Sequence, residues 1–261
     1  MIIGGGLIGA ASAWSLTRRG LSVRLVEQFA PGHRNGSSHG SARIVRRAYG
    51  DALYTQLSGR AFELWREVET AAGTSVLRVL GGLDFGTHRD VAAVAQWLAA
   101  VGAAHEVLDA PEAERRWPGM RFSGDVVFHP EAGTLDADGA VTAMTELARA
   151  GGAAIEYETA AVAIRKADAG MAVTLSDGTA VAADVVVVAA GAWVAPLLHG
   201  VVGLELPPLR DTQQSVFHFP RRDPDAPPWP SVIHDDASTT GGIYHLAGGR
   251  DGGLGTSGDD R

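Results

Sequence analysis

Three glycines within the first nine residues restrict this chain more than any other feature. Gly4, Gly6 and Gly9 form G-x-G-x-x-G between the apolar Met1-Ile2-Ile3 and the Ala- and Leu-rich stretch Leu7–Arg19. The pattern calls for a strand, a tight turn and a helix in succession. The first glycine permits the turn, the second lets the backbone approach a pyrophosphate, and the third lets helix and strand pack closely. The helix N-terminus adds free amides and positive potential. Gly20 falls where a helix C-terminal cap belongs, and Leu21–Glu27 alternates apolar Leu21, Val23 and Leu25 with polar neighbours. The unit is therefore βαβ, and Glu27 closes it eighteen residues past Gly9, near the spacing of about 20 expected of a ribose ligand. A carboxylate there accepts hydrogen bonds from ribose hydroxyls and repels a 2′-phosphate. On these residues alone FAD, NAD and a glycine turn that binds nothing all remain open.

The rest of the chain alternates elements in an order that splits the nucleotide domain. A loop rich in Gly, Ser, His and Pro runs from Phe29 to Ala42. Leu53, Leu57, Ala61, Leu64, Trp65 and Val68 recur at three- and four-residue steps and predict a helix with one apolar face, ending at Gly73. Leu80–Phe85 predicts a strand. Asp90 caps a helix carrying Val91, Val94, Leu98 and Val101. Pro111 opens a shorter helix that Pro118 closes, and Asp138 or Thr142 starts the next, through to Gly151. Short strands follow at 154–158, 161–166 and 171–175, and the Asp177-Gly178 turn predicts a hairpin into 179–183. Val185–Ala189 reads as a fully buried strand. Trp14, Trp65 and Trp97 sit at helical spacing and are expected in the core. The fold class expected is α/β: a Rossmann-type domain built from discontinuous segments, 1–80 and 136–208, with an α+β substrate domain from 81–135 and 209–261. Met1-Ile2-Ile3 is a short first strand, and Gly252–Arg261 stops without completing an element. Both ends suggest a fragment of a longer protein, incomplete at its C-terminus.

Composition narrows the classes. The chain has 261 residues, 46% of them hydrophobic, enough for one large or two small cores, and a net charge of −8. The acidic balance argues against nucleic-acid and membrane-surface partners. No apolar run reaches bilayer length and no basic leader precedes one, so the cytoplasm is the compartment expected. There is no cysteine, hence no disulfide or thiolate metal site, and no histidine or carboxylate cluster has metal spacing. The single lysine, Lys166, against twenty-one arginines reads as a codon bias.

The richest site candidate is residues 39–47, HGSARIVRR. A reduced flavin carries negative charge that a nearby cation stabilises, and an acid substrate offers a carboxylate that arginine binds bidentately. If the stretch starts a helix, Arg43 and Arg46 fall on neighbouring positions, one for each task. Surface solvation and a phosphate-binding patch explain the same arginines.

With these residues in hand, the chain resembles the monomeric sarcosine oxidase and N-methyltryptophan oxidase group of D-amino-acid-oxidase-like flavoproteins. Residues 35–50, NGSSHGSARIVRRAYG, are very similar to that group's active-site segment. Residues 63–65 (ELW), 116–119 (RWPG), 191–193 (GAW) and 241–244 (GGIY) match in order. The resemblance implies a two-domain fold with FAD in extended form, and oxidation of a secondary amine to an imine with dioxygen as acceptor. It implies a small carboxylate-bearing amine as substrate and a monomer. Carried over by position, His39 and Arg43 lie against the flavin and Arg46 binds the substrate carboxylate. Gly4, Gly6, Gly9, Glu27 and Ser38 serve the dinucleotide, Ala161 makes a backbone contact to adenine, and Gly191, Ala192 and Trp193 lie beside the cofactor. Tyr244 stands near the substrate, and His245 replaces the aromatic expected after it. The group's oxygen-linked lysine falls near 254–256, where this chain has Gly255. The flavin-tethering cysteine and a second carboxylate-binding cation would fall beyond Arg261.

Overall fold

The computed structural model describes residues 1–198, 206–212, 216–220, 222–223, 225–236 and 242–248, and the backbone of 253–258. In chain order the first elements are β1 (Ile2–Ile3), α1 (Leu7–Thr17), β2 (Arg24–Val26), β3 (Arg43–Val45), α2 (Ala52–Ala72), β4 (Leu77–Val79) and β5 (Gly82–Phe85). Then come α3 (Val91–Ala100), β6 (Glu106–Leu108), α4 (Ala110–Arg116), β7 (Val126–His129), β8 (Gly133–Leu135) and α5 (Ala137–Ala150). The chain continues with β9 (Ala154–Glu156), β10 (Ala161–Lys166), β11 (Met171–Leu175), β12 (Ala180–Ala183), β13 (Val187–Val188) and α6 (Val194–Leu198). The last strands are β14 (Val216–Pro220), β15 (Ser231–His234), β16 (Ile243–Leu246) and β17 (Gly253–Gly258). Gly241, the first residue of the 241–244 match, and positions 249–252 and 259–261 of the C-terminal stretch lie outside the described residues. No helix among the described residues is long and apolar enough to cross a membrane.

The chain forms two compact units. The first comprises Met1–Gly40, Thr70–Thr74 and Ala137–Thr212. Its sheet has the order β13-β1-β2-β9, and every pair in it is parallel. Helices α1 and α5 pack on each other beside it. The antiparallel β10-β11-β12 meander shares a core with the sheet, where Ile3 and Val26 meet Ile164, Val173 and Leu175. The Asp177-Gly178 turn forms as its chemistry dictates. Gly178 takes φ +85°, and the Asp177 carboxylate accepts the Thr179 amide at 2.8 Å. The strand expected to be fully buried over 185–189 is shorter and only partly covered: Val185 is 67% exposed and β13 is half-buried. The reason is position, since β13 lies at the edge of this sheet among the described residues.

The second unit comprises Ser41–Glu69, Ser75–Asp136 and Gln213–Arg261. Its main sheet runs β14-β17-β16-β15-β5-β7-β6, and a small one runs β3-β8-β4. Strand alternation gives the main sheet two faces. Leu83, Phe85, Val126 and Val232 point to a core with Leu108 and Phe122. Val127 points the other way, to a core with Ala48, Val94, Leu98 and Ala103. The caps of α3 and α4 form as expected: Asp90 accepts the Ala93 amide at 2.9 Å and Asp109 the Glu112 amide at 2.8 Å. Two expectations fail here. The apolar steps along α2 form a helix, but Leu53 and Leu57 are 59% and 55% exposed, and Thr55 and Val68 are its buried positions. Period alone identifies a helix face without saying what covers it. Trp14 is buried, whereas Trp65 and Trp97 are only half-buried.

Candidate functional site

In the first unit the glycine turn is built as the spacing requires. Gly4 has φ +101°, and a Cβ there would lie 2.4 Å from the Ala189 carbonyl oxygen. A Cβ on Gly9 would lie 1.8 Å from the Gly4 carbonyl oxygen, so only glycine lets α1 approach the turn this closely. A Cβ on Gly6 would meet the Ser38 hydroxyl at 3.1 Å. The Leu7 amide donates to Ser38 Oγ at 3.0 Å, and the Ala10 amide to the Gly6 carbonyl at 2.9 Å. Between them the amides of Ile8 and Gly9 stand in the first turn, where a helix has no carbonyl to offer. Such unpaired amides suit the oxygens of a diphosphate.

Glu27 lies against this turn and is buried. Its Oε2 accepts the Gly5 amide at 2.6 Å and its Oε1 the Phe29 amide at 2.9 Å, with His33 Nε2 3.5 Å from Oε1. Two of its four lone-pair sites are thereby used, and the remainder can accept hydroxyl donors. The Glu27 carbonyl accepts the Thr159 amide at 2.9 Å, which brings the start of β10, and so Ala161, to the same end of the sheet. A register shift between Ala161 and Ala163 interrupts pairing with β11 there. Gly191–Trp193 forms a single 3₁₀ turn directly after β13, and the Trp193 ring meets Phe29 edge-on at 5.4 Å. Gly4, Gly6, Gly9, Glu27, Ser38, Ala161, Gly191, Ala192 and Trp193 thus gather at the carboxyl ends of parallel strands, where open α/β sheets bind ligands. His39 belongs to this unit and is half-buried. Its backbone is pinned on both sides: Ser38 holds the Leu7 amide, and the Gly40 amide donates to Asp138 Oδ1 at 2.9 Å.

The arginines lie in the second unit, and they do not start a helix. Residues 43–45 form β3, antiparallel to β8, because β-branched Ile44 and Val45 favour the pleated surface. The neighbouring-position argument for Arg43 and Arg46 therefore lapses. Arg43 Nη1 donates to the Ala42 carbonyl at 3.0 Å. Arg46 lies over the Tyr49 ring at 4.7 Å and uses Nη1 twice, on the Ala48 carbonyl at 2.8 Å and on Asp84 Oδ1 at 3.2 Å. Among the described residues no hydrogen bond engages its Nε or Nη2, so that edge keeps its donors for a carboxylate.

Asp84 is the residue that sequence reasoning missed. It is 0% exposed, with Arg89 Nη2 and Arg46 Nη1 on Oδ1 and His129 Nε2 at 3.1 Å from Oδ2. Burial by itself would raise its pKa. The His129 hydrogen bond and the charges of Arg46 and Arg89 outweigh that and hold it below the ordinary carboxylate value. A signal was present in the sequence: a carboxylate between Leu83 and Phe85, inside a strand, marks a buried and therefore paired ion.

Register also separates the two candidates on β16. Asp84 pairs with Ile233, and Ile233 with Tyr244, so Asp84 and Tyr244 share one face of the main sheet. His245 pairs with Val232 and lies on the opposite face, its ring 5.9 Å from Trp229. Burial lowers the His245 pKa, keeping it neutral. Tyr244 and His245 therefore do not line one surface. No group of three or more His, Asp or Glu suited to a metal ion occurs among the described residues.

The family profile described as DAO, FAD dependent oxidoreductase, matches residues 1–260. Monomeric sarcosine oxidase of a Bacillus species is 32% identical over 225 residues, 84% of this chain and 57% of that protein. N-methyl-L-tryptophan oxidase of Escherichia coli is 34% identical over 208 residues, 76% of this chain and 55% of that protein. Among solved structures, NikD, an unusual amino acid oxidase essential for nikkomycin biosynthesis, superposes with a TM-score of 0.82 at 25% identity, covering 99% of this chain and 68% of that one. The chain spans little more than half the length of the curated relatives it matches.

Proposed function

This chain belongs to the DAO family of FAD-dependent oxidoreductases, and on that premise we propose that it oxidises a small secondary amine bearing a carboxylate to the imine. An N-methyl amino acid of the sarcosine or N-methyltryptophan type is the substrate class, since relatives at 32% and 34% identity carry those names. When bound, the flavin would take a hydride equivalent, two electrons and one proton, from the C–H beside nitrogen; with loss of the N–H proton this leaves an imine that water hydrolyses.

The protein's part is binding and orientation. The amides of Ile8 and Gly9 hold the diphosphate, and Glu27 accepts from the ribose. Ala161 and Gly191–Trp193 flank the cofactor, and His39 and Arg43 stabilise negative charge on the reduced ring. Arg46 takes the substrate carboxylate on its Nε–Nη2 edge, and Tyr244 lies near the substrate. The anchoring of Arg46 through Nη1 on Asp84 and the Ala48 carbonyl, with no hydrogen bond on Nε or Nη2, is the observation that carries the reading. The protein acts as a cytoplasmic monomer, with dioxygen reoxidising the flavin. Gly255 favours a second reading on that last point, an acceptor other than dioxygen, because the resemblance puts a lysine near that position.

The test is anaerobic mixing of the FAD-loaded protein with sarcosine, N-methyltryptophan and their amides. The acids should bleach the flavin bands and the amides should do so far more weakly. Equal bleaching by acid and amide sinks the role of Arg46, and a protein that takes up no FAD sinks the whole reading. Peroxide released when air is readmitted distinguishes dioxygen from another acceptor.

A further inference from the structure

The cluster around Asp84 holds more charge than carboxylate binding by Arg46 alone would need. Two guanidinium groups, those of Arg46 and Arg89, share one carboxylate oxygen, Asp84 Oδ1, and one carbonyl, that of Ala48, at 2.8 and 3.3 Å. Of the two contacts to Asp84, that of Arg89 is the shorter. His129 Nε2 lies 3.1 Å from Oδ2. On Oδ1, two guanidinium groups thus face a single carboxylate.

We propose that Arg89 is a positioning residue that neutralises Asp84, so that Arg46 keeps its full charge for the carboxylate of the substrate. This rests on the reading of Arg46 as the carboxylate-binding residue. Asp84 supplies an acceptor that fixes Arg46 Nη1, and by itself it would cancel the attraction that Arg46 offers an anion. Arg89 separates the two effects. The Asp84–Arg89 pair acts on an incoming carboxylate as a dipole, whose field falls off faster than that of a single charge, and the anchor is retained.

The experiment is a titration of the FAD-loaded full chain with acetate, and with acetamide as the uncharged control, followed by the change in flavin absorbance. Arg89→Gln should weaken acetate roughly tenfold and leave acetamide unchanged. Asp84→Asn added to Arg89→Gln should restore acetate affinity to near the wild-type value, because the two opposite charges of the Asp84–Arg89 pair are then removed together. A purely structural role predicts that the second substitution makes matters worse. The double variant leaves no buried carboxylate short of a cation, so it tests the proposal even if Arg89→Gln alone fails to fold. Arg46→Ala separates the two readings. If it leaves acetate affinity intact, Arg46 is not the carboxylate-binding residue and both ideas fall. If it weakens acetate while Arg89→Gln does not, or while the double variant stays weak, charge balancing by Arg89 alone is overturned.

Discussion

The space above Gly82 is closed by the His129 ring, and replacing that glycine by alanine tests the buried cluster. Gly82 and His129 are directly opposed on β5 and β7. A Cβ on Gly82 would lie 2.6 Å from both Cε1 and Nε2 of the His129 ring and 2.7 Å from the Ala132 Cβ. His129 is 2% exposed and Ala132 is fully buried, so neither can yield into solvent. For ordinary van der Waals contact the ring must retreat by about 1 Å. Its 3.1 Å contact to Asp84 Oδ2 then stretches out of hydrogen-bond range. A hydrogen bond to a buried charge contributes about 1.5–3 kcal/mol, and an extra methyl in a packed site costs about 1–3 kcal/mol. Gly82→Ala should therefore destabilise by about 4 kcal/mol and lower the melting temperature by about 10 °C in a chain of this size. Thermal and urea unfolding followed by circular dichroism measure it. In a His129→Ala background the same substitution should cost at least about 1 kcal/mol less, because the ring it collides with is gone. A loss below about 1 kcal/mol, or full additivity of the two substitutions, would refute the claim that Gly82 makes room for the His129–Asp84 bond.

Three further outcomes follow from named contacts. Gly9→Ala, whose Cβ would sit 1.8 Å from the Gly4 carbonyl oxygen, should push α1 off the turn and weaken FAD at least about tenfold in a fluorescence-quenching titration; unchanged affinity contradicts the cradle. Arg46→Ala should raise KM for carboxylate-bearing amines about tenfold or more and spare simple amines in steady-state assays, and equal losses on both contradict its role. The folded pKa of Asp84 lies below 3.8, its ordinary value, so its contribution to stability is present above that pH and is lost as pH falls through the folded value. Asp84→Asn should remove part of the acid-side slope of stability in urea unfolding between about pH 2 and 5. A slope equal to that of the wild type counts against an ionised Asp84.

What the amino-acid order makes legible is chemistry confined to a few consecutive residues. The glycine turn is one case: Gly9 is demanded by the Gly4 carbonyl oxygen five residues back, and Gly4 by its own φ of +101°. The Asp177-Gly178 hairpin and the Asp90 cap are others, since the bonding partner stands two or three residues away. Burial is a different matter. The run Val185–Ala189 has the composition of a central strand, yet β13 lies at a sheet edge, and strand composition does not say how many neighbours a strand has. The leucines of α2 fail for a related reason, as their spacing describes the helix and not the surface set against it.

The arginine loop shows where reading by proximity goes astray. Arg43 and Arg46 are close in sequence, and a helix would have made them neighbours. The β-branched pair between them makes a strand instead, and Arg46 finds its partner 38 residues away in Asp84. Asp84 in turn is held from three segments: the loop after β3, the loop before α3, and β7. A buried charge has to be paired, so Asp84 announced that partners exist. Which of the chain's twenty-one arginines would answer depended on strand register, set by the alternation of Leu83, Asp84 and Phe85 against Val126, Val127 and Phe128. A slip of one residue in that pairing would turn Asp84 toward Leu108 and Phe122 and leave Arg46 with only a carbonyl. The geometry of the carboxylate fork thus depends on apolar side chains that never touch it.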